Sequence, residues 1–295
     1  MNSLLSTIGS TPLIKLSKLF NSDSFQVYAK LEGQNPGGSI KDRVALYMIA
    51  QAEKRNELTP NKTIIEATSG NMGIALAMIG AQKGYKVEIA MSEGMSTERK
   101  TMLKALGAKL TLTNKKLGTE GAIQHVLRKL KTAPKKYWFA NQFNNHDNTL
   151  AHYHSTAPEL LSQLPKIDYL IAGLGTSGTI MGLAKRFKKD SPSTKIIGVL
   201  PPGGYQIQGL QNPYKDFKGK IVDINKLDQI IEISEKEAYT TTRLAGQKEG
   251  LFIGMSSGAA LAAVQKTQPS HNSNIVIILP DRGEKYLSTK LFNET

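Results

Sequence analysis

The sequence predicts an α/β fold of two lobes, each an open, mostly parallel sheet flanked by helices. Three observations predict it. Short apolar, β-branched runs alternate with helix-length segments along nearly the whole chain, and that alternation gives parallel sheets with right-handed crossovers. Glycine-bearing turns at 68–73, 173–179 and 254–258 lead directly into helices, the position at which open α/β sheets bind ligands. The length of 295 residues exceeds what one core usually serves, so two lobes of roughly 100–200 residues each are expected.

Taken in order, residues 24–31 alternate as a strand. Pro36-Gly37-Gly38 then turns the chain into a helix capped by Ser39 and running to Asn56, with Val44, Met48 and Ile49 inward. Lys41 therefore falls in a first helical turn. A β-branched strand over 62–67 is followed by the polar turn Thr68-Ser69-Gly70-Asn71-Met72-Gly73 and an apolar helix over 74–82. The pattern repeats as strand 85–91, helix 96–106 ended by Gly107, strand 108–113, helix 119–131 and strand 137–140. One long helix, 146–164, is expected to carry the chain to the second lobe. There follow strand 167–172, helix 179–189, strand 194–200, an irregular stretch 201–219, strand 229–233, helix 235–248, helix 259–266 and strand 274–279. No repeat of fixed period and no low-complexity linker interrupts the series.

Composition narrows the function classes. Hydrophobic residues make up 40% and charged residues 21%, a globular balance, and no run approaches the roughly 20 apolar residues of a membrane span. The start Met1-Asn2-Ser3-Leu4-Leu5-Ser6 has neither a basic leader nor an extended apolar segment, so a cytoplasmic protein is expected. Cysteine is absent, which excludes disulfides, thiolate metal sites and cysteine nucleophiles. The net charge of +14 raises nucleic acid or an anionic membrane as partner. The basic groups, among them Lys115-Lys116, Lys135-Lys136 and Lys185-Arg186 with Lys188-Lys189, are spread over helices and the loops after them. They read as solvated faces whose field attracts small anions, and no nucleic-acid or membrane partner is expected. The five histidines show no metal spacing, so no metal site is expected either.

Three turns and two side chains carry chemistry. Gly173-Leu174-Gly175-Thr176-Ser177-Gly178-Thr179 follows an apolar strand and opens a helix, so backbone N–H groups, the helix dipole and three hydroxyls can surround a phosphate. It also spells G-x-G-x-x-G, which admits a nicotinamide dinucleotide. That reading requires an acid at the end of the next strand, where Gly198-Val199-Leu200-Pro201 stand. The dense hydroxyls suit a terminal phosphate monoester better, and a plain structural turn is the remaining reading. Thr68-Ser69-Gly70-Asn71 offers hydroxyls, an amide and N–H groups that suit a carboxylate, or equally a simple capping turn. Ser256-Ser257-Gly258 reads as a helix cap, Gln142 as a surface amide or a cleft-lining donor, and Lys41 as a solvated charge or an amine poised for an aldehyde.

Together these segments resemble one family over the whole chain. Asn35-Pro36-Gly37-Gly38-Ser39-Ile40-Lys41-Asp42-Arg43, Thr68-Ser69-Gly70-Asn71, Gln142-Phe143, Gly175-Thr176-Ser177-Gly178-Thr179 and Gly254-Met255-Ser256-Ser257-Gly258 are similar to motifs of the cysteine synthase (O-acetylserine sulfhydrylase) family of fold-type II pyridoxal-phosphate enzymes. Asp281-Arg282-Gly283 and Met95-Ser96-Thr97-Glu98-Arg99 look most like its B isozyme. The resemblance implies a tryptophan synthase β-like architecture, with 42–145 as a smaller, mobile substrate-loop domain and 1–41 plus 146–295 as a larger domain that binds the cofactor phosphate. It implies that Lys41 joins the aldehyde of pyridoxal 5'-phosphate and that Gly175, Thr176, Ser177, Gly178 and Thr179 hold the phosphate. It further implies that Asn71 contacts the ring hydroxyl and that Ser256 faces the ring nitrogen. A hydroxyl there, unlike a carboxylate, does not keep that nitrogen protonated, which favours loss of a β-substituent over a long-lived carbanion. The substrate carboxylate falls to Thr68, Ser69, Gly70, Met72 and Gln142.

The implied reaction is β-replacement on O-acetyl-L-serine or O-phosphoserine by sulfide to give L-cysteine, with Lys41 moving the α-proton, in a homodimer. Whether an acetyltransferase docks as partner is left open. The chain departs from the family at Met72, where a threonine is usual, and at Gln211-Asn212, where B-type enzymes carry an arginine pair associated with larger anionic sulfur donors. Thiosulfate use therefore does not carry over. A cysteine lyase producing sulfide, a cystathionine β-synthase-like enzyme and a diaminopropionate synthase stay open beside it, with an NAD-dependent oxidoreductase as the alternative of a different class.

Overall fold

A computed structural model describes residues 3–68, 70–204, 207–215 and 219–293, so the Ser69 expectation lies outside the described residues. The chain divides into two compact units, one of Met1–Ile8, Asn35–Gln142 and Lys285–Thr295, the other of Gly9–Gln34 and Phe143–Glu284. The first unit therefore takes in residues 35–41 and both chain ends together with most of the 42–145 stretch.

In chain order, β1 (Leu13–Leu16) and β2 (Phe25–Leu31) open the second unit. The first unit follows with α1 (Lys41–Lys54), β3 (Thr63–Ala67), α2 (Asn71–Lys83), β4 (Lys86–Ser92), α3 (Thr97–Ala105), β5 (Lys109–Thr113), α4 (Gly118–Thr132) and β6 (Tyr137–Phe139). The second resumes with α5 (Asp147–His154), α6 (Thr156–Gln163), β7 (Tyr169–Gly173), α7 (Gly178–Asp190), β8 (Lys195–Leu200), β9 (Gln229–Glu232), α8 (Glu235–Glu249), α9 (Met255–Thr267) and β10 (Ser273–Leu279).

The first unit holds a sheet of order β5-β4-β3-β6, parallel throughout. Its inner strands are buried without alternation because helices cover both faces; six of the seven residues of β4 are buried. α2 is buried from Met72 to Gly80 and packs with Val44, Met48 and Ile49 of α1 in one core. The second unit holds a six-stranded sheet of order β1-β2-β10-β7-β8-β9. It is parallel except at its edge, where β1 runs antiparallel to β2 with Leu13 opposite Lys30.

The expected long helix over 146–164 is two helices. Ser155 breaks it with φ −123° and ψ −70°, and its hydroxyl donates to the Ala151 carbonyl at 2.6 Å. Pro158 lacks the N–H that would continue the helix onto the His154 carbonyl, yet sits well in the first turn of a new one. The start of α1 also differs from a simple serine cap. Ile40 occupies the cap position, and the Ser39 hydroxyl accepts from the Lys41 N–H at 3.2 Å. The helices expected at 74 and 259 begin earlier, at Asn71 and Met255, inside the turns that precede them. Among the described residues no helix is long and apolar enough to cross a membrane.

Candidate active site

In the first unit, Lys41 follows a turn fixed from both sides. The Gly37 N–H donates to Asp42 Oδ2 at 2.6 Å. Lys285, 1% exposed, donates from Nζ to the carbonyls of Gly37 at 3.2 Å and Gly38 at 2.9 Å and to Asn71 Oδ1 at 2.9 Å. One buried ammonium thus ties the turn before Lys41 to the first residue of α2.

Burial lowers the Lys41 amine to about 8, opposed by the nearby Glu66 carboxylate, which favours the ammonium. Glu66, next to last in β3, is 1% exposed, its Oε1 accepting the Ala67 N–H at 2.9 Å and its Oε2 the Gln142 N–H at 3.2 Å. Burial raises this carboxyl to about 8 against those N–H donors and the Lys41 charge. Near neutral pH roughly a tenth of Lys41 is therefore an unprotonated amine, far more than for an exposed lysine, able to condense with an aldehyde or take a proton.

The 68–72 turn lies in the same unit. Thr68 is buried and its Oγ1 accepts the Gly70 N–H at 3.2 Å. A Cβ on Gly70 would stand 2.7 Å from Arg99 Nε. The Arg99 guanidinium in turn lies 4.6 Å over the Tyr286 ring. Met72 turns its side chain into the core, 1% exposed, beside Ile74, Leu76 and Leu103. The methionine that stands where a threonine is usual thus places its bulk in the core. Gln142 is buried rather than a surface amide.

In the second unit the 173–179 loop ends β7 and opens α7. Ser177 is left-handed at φ 66°, which swings the chain into the helix. A Cβ on Gly175 would meet the Gly209 carbonyl at 2.3 Å, and one on Gly178 would meet Asn148 Oδ1 at 2.0 Å. Bare backbone is therefore a steric requirement at Gly175, and at Gly178 any side chain would have to displace Asn148. Ser256, 4% exposed in the first turn of α9, has its Oγ 3.5 Å from the Cβ position of Gly209. The 173–179 and 254–258 turns thus meet at one residue. Behind the loop, Asn148 Nδ2 donates to Thr176 Oγ1 at 3.0 Å and His152 Nε2 lies 3.2 Å from Thr179 Oγ1. Helix N–H groups, hydroxyls and no carboxylate on the loop suit a dianionic, acceptor-only group such as a phosphate monoester. At the two positions where the resemblance leads one to expect arginines, the Gln211 main-chain N–H donates to the Leu174 carbonyl at 2.7 Å and the Asn212 side chain donates from Nδ2 to the Pro201 carbonyl at 3.0 Å.

Glu66, Lys285, Asn148 and His152 escaped the sequence reading. A glutamate inside the apolar run Ile64-Ile65-Glu66-Ala67 is a signal for the first. The other three lie far in sequence from the turns they support, and nothing local separates them from surface residues.

The Pyridoxal-phosphate dependent enzyme family matches residues 4–281. The chain is 41% identical over 296 residues to cysteine synthase B of Escherichia coli, covering 100% of this chain and 97% of that protein. The cysteine synthase crystal structure from Entamoeba histolytica superposes with a TM-score of 0.94 at 39% identity, covering 100% of this chain and 91% of the other. A hydrogen sulfide-producing enzyme from Fusobacterium nucleatum superposes with a TM-score of 0.91 at 38% identity, covering 97% and 100%.

Proposed function

This chain belongs to the pyridoxal-phosphate dependent enzyme family, and from that premise we propose that it is a cysteine synthase, replacing the acetoxy group of O-acetyl-L-serine with sulfide to give L-cysteine and acetate. Its full-length identity with cysteine synthase B carries the reading. The working form is a cytoplasmic homodimer.

Bound pyridoxal phosphate supplies an electron sink for the α-carbon of the amino acid. Gly175, Thr176, Ser177, Gly178 and Thr179 would hold its phosphate, Asn71 its ring hydroxyl and Ser256 its ring nitrogen, with Lys41 joined to its aldehyde. The Ser256 hydroxyl donates or accepts one hydrogen bond without fixing a proton on that nitrogen, unlike a carboxylate. Thr68, Ser69, Gly70 and Gln142, with the Met72 backbone, orient the substrate carboxylate. The Lys41 amine takes the α-proton when the acetoxy group departs and returns it after sulfide has joined the β-carbon. An amine lowered to about 8 by burial serves both directions near neutral pH.

The likeness to a hydrogen sulfide-producing enzyme supports a second reading, cysteine breakdown with release of sulfide. One experiment separates them. Holoenzyme is given O-acetyl-L-serine with sulfide while cysteine is measured, and L-cysteine alone while sulfide is measured. Faster cysteine formation supports the synthase; sulfide release from cysteine with no synthesis overturns it.

A further inference from the structure

Asn148 and His152 stand one helical turn apart on α5, a spacing that places both on one face. Each reaches a hydroxyl of the 173–179 loop, Asn148 that of Thr176 and His152 that of Thr179. Both are fully buried. On its other side the His152 ring has Nδ1 2.9 Å from Oγ1 of Thr156, itself fully buried on α6. His152 and Thr156 are four residues apart, across the single residue Ser155 that separates α5 from α6.

A hydroxyl has one proton, and a neutral imidazole has one N–H. A phosphate dianion offers acceptors only, so a Thr179 hydroxyl that binds it must spend its proton on the phosphate. Its oxygen then faces His152 as an acceptor, and Nε2 must carry the ring proton. Nδ1 is left as the acceptor for the Thr156 hydroxyl. The direction of every proton in the row Thr156, His152, Thr179 is thereby set by the ligand.

We propose that His152 is a positioning residue for the cofactor phosphate, donating from Nε2 to Thr179 so that the Thr179 hydroxyl is presented as a donor, with Thr156 holding the ring in that tautomer. The inference rests on the assignment of the 173–179 loop to the phosphate. Asn148 does the same for Thr176 through its amide N–H, so two helical side chains turn two loop hydroxyls toward an acceptor.

The test uses the wild-type holoenzyme labelled with 15N-histidine, its His152 signal assigned by its loss in His152→Gln. The expected spectrum has the proton on Nε2 and a bare Nδ1; a holoenzyme with the proton on Nδ1 overturns the proposal without any variant. Cofactor dissociation constants give the second readout. His152→Leu is expected to weaken binding about tenfold or more, the loss of one hydrogen bond in a charged site. His152→Gln, which keeps a donor near the Nε2 position, should stay within about threefold of wild type. Thr179→Val should match His152→Leu, and the double variant should lose nothing further. Equal damage from Gln and Leu, or additive losses, sinks the proposal. If His152→Leu fails to fold, Thr179→Val and the wild-type spectrum still decide. Wild-type protein that takes up no pyridoxal phosphate at all would instead refute the phosphate-loop assignment beneath it.

Discussion

Glu66 makes a prediction that the structure quantifies. Its carboxyl is raised from 4.5 to about 8 by burial, roughly 5 kcal/mol at about 1.4 kcal/mol per pH unit. Below 4.5 both native and unfolded chains hold this proton, and above about 8 neither does. Between those limits the native protein holds a proton that the unfolded chain releases, so the carboxyl makes stability fall as pH rises through the window. Lys41 acts above it: its amine, lowered to about 8, makes stability rise from there toward 10.5. Glu66→Gln abolishes the first slope. The amide can accept only one of the N–H groups of Ala67 and Gln142 and sets its own NH₂ against the other, a loss of about 1–3 kcal/mol. In urea denaturation of the apoprotein, wild type should therefore be the more stable at pH 5, and Glu66→Gln the more stable at pH 8, the two curves crossing between. A stability difference constant from pH 5 to 8.5 would refute the reasoning, because it would mean that Glu66 ionises in the native protein as it does in water.

Three other outcomes follow from the same geometry. Lys285→Met leaves the Gly37 and Gly38 carbonyls and Asn71 Oδ1 without their shared donor, and should cost about 3 kcal/mol or more by chemical denaturation together with weaker cofactor binding. Gly178→Ala drives a methyl group to within 2.0 Å of Asn148 Oδ1; displacing that side chain should cost about 1–3 kcal/mol of cofactor affinity, read by equilibrium dialysis. Lys41→Ala should lower cysteine formation by at least about 10²-fold when pyridoxal phosphate is supplied in excess, since the proton-transfer group is gone, with the thermal unfolding midpoint little lowered or raised.

Most of the architecture is legible in the sequence because parallel strands covered on both faces declare themselves as unbroken apolar runs, as Ile64-Ile65 and Ile275-Val276-Ile277-Ile278 do. The glycine turns are legible for a related reason: where backbone must touch backbone, as Gly175 does Gly209, no other residue fits. What stays hidden depends on distance along the chain. β1 is four residues long and shows no alternation strong enough to stand out. The break at Ser155 turns on Pro158 three residues later. Lys285 looks like any of the chain's many lysines until the fold brings it to Gly37, Gly38 and Asn71. His152, weighed only as a metal ligand, is instead hydrogen-bonded to two threonines, and only packing of α5, α6 and α7 shows it.

The central claim is that Lys41 is the residue to which the cofactor is joined, and borohydride reduction tests it most directly. Holoenzyme is reduced, digested and mapped by mass spectrometry. The pyridoxyl group is predicted on Lys41 alone, with the yellow colour discharged. A stable adduct on another lysine, Lys285 included, or a colourless protein that incorporates none, would contradict the account.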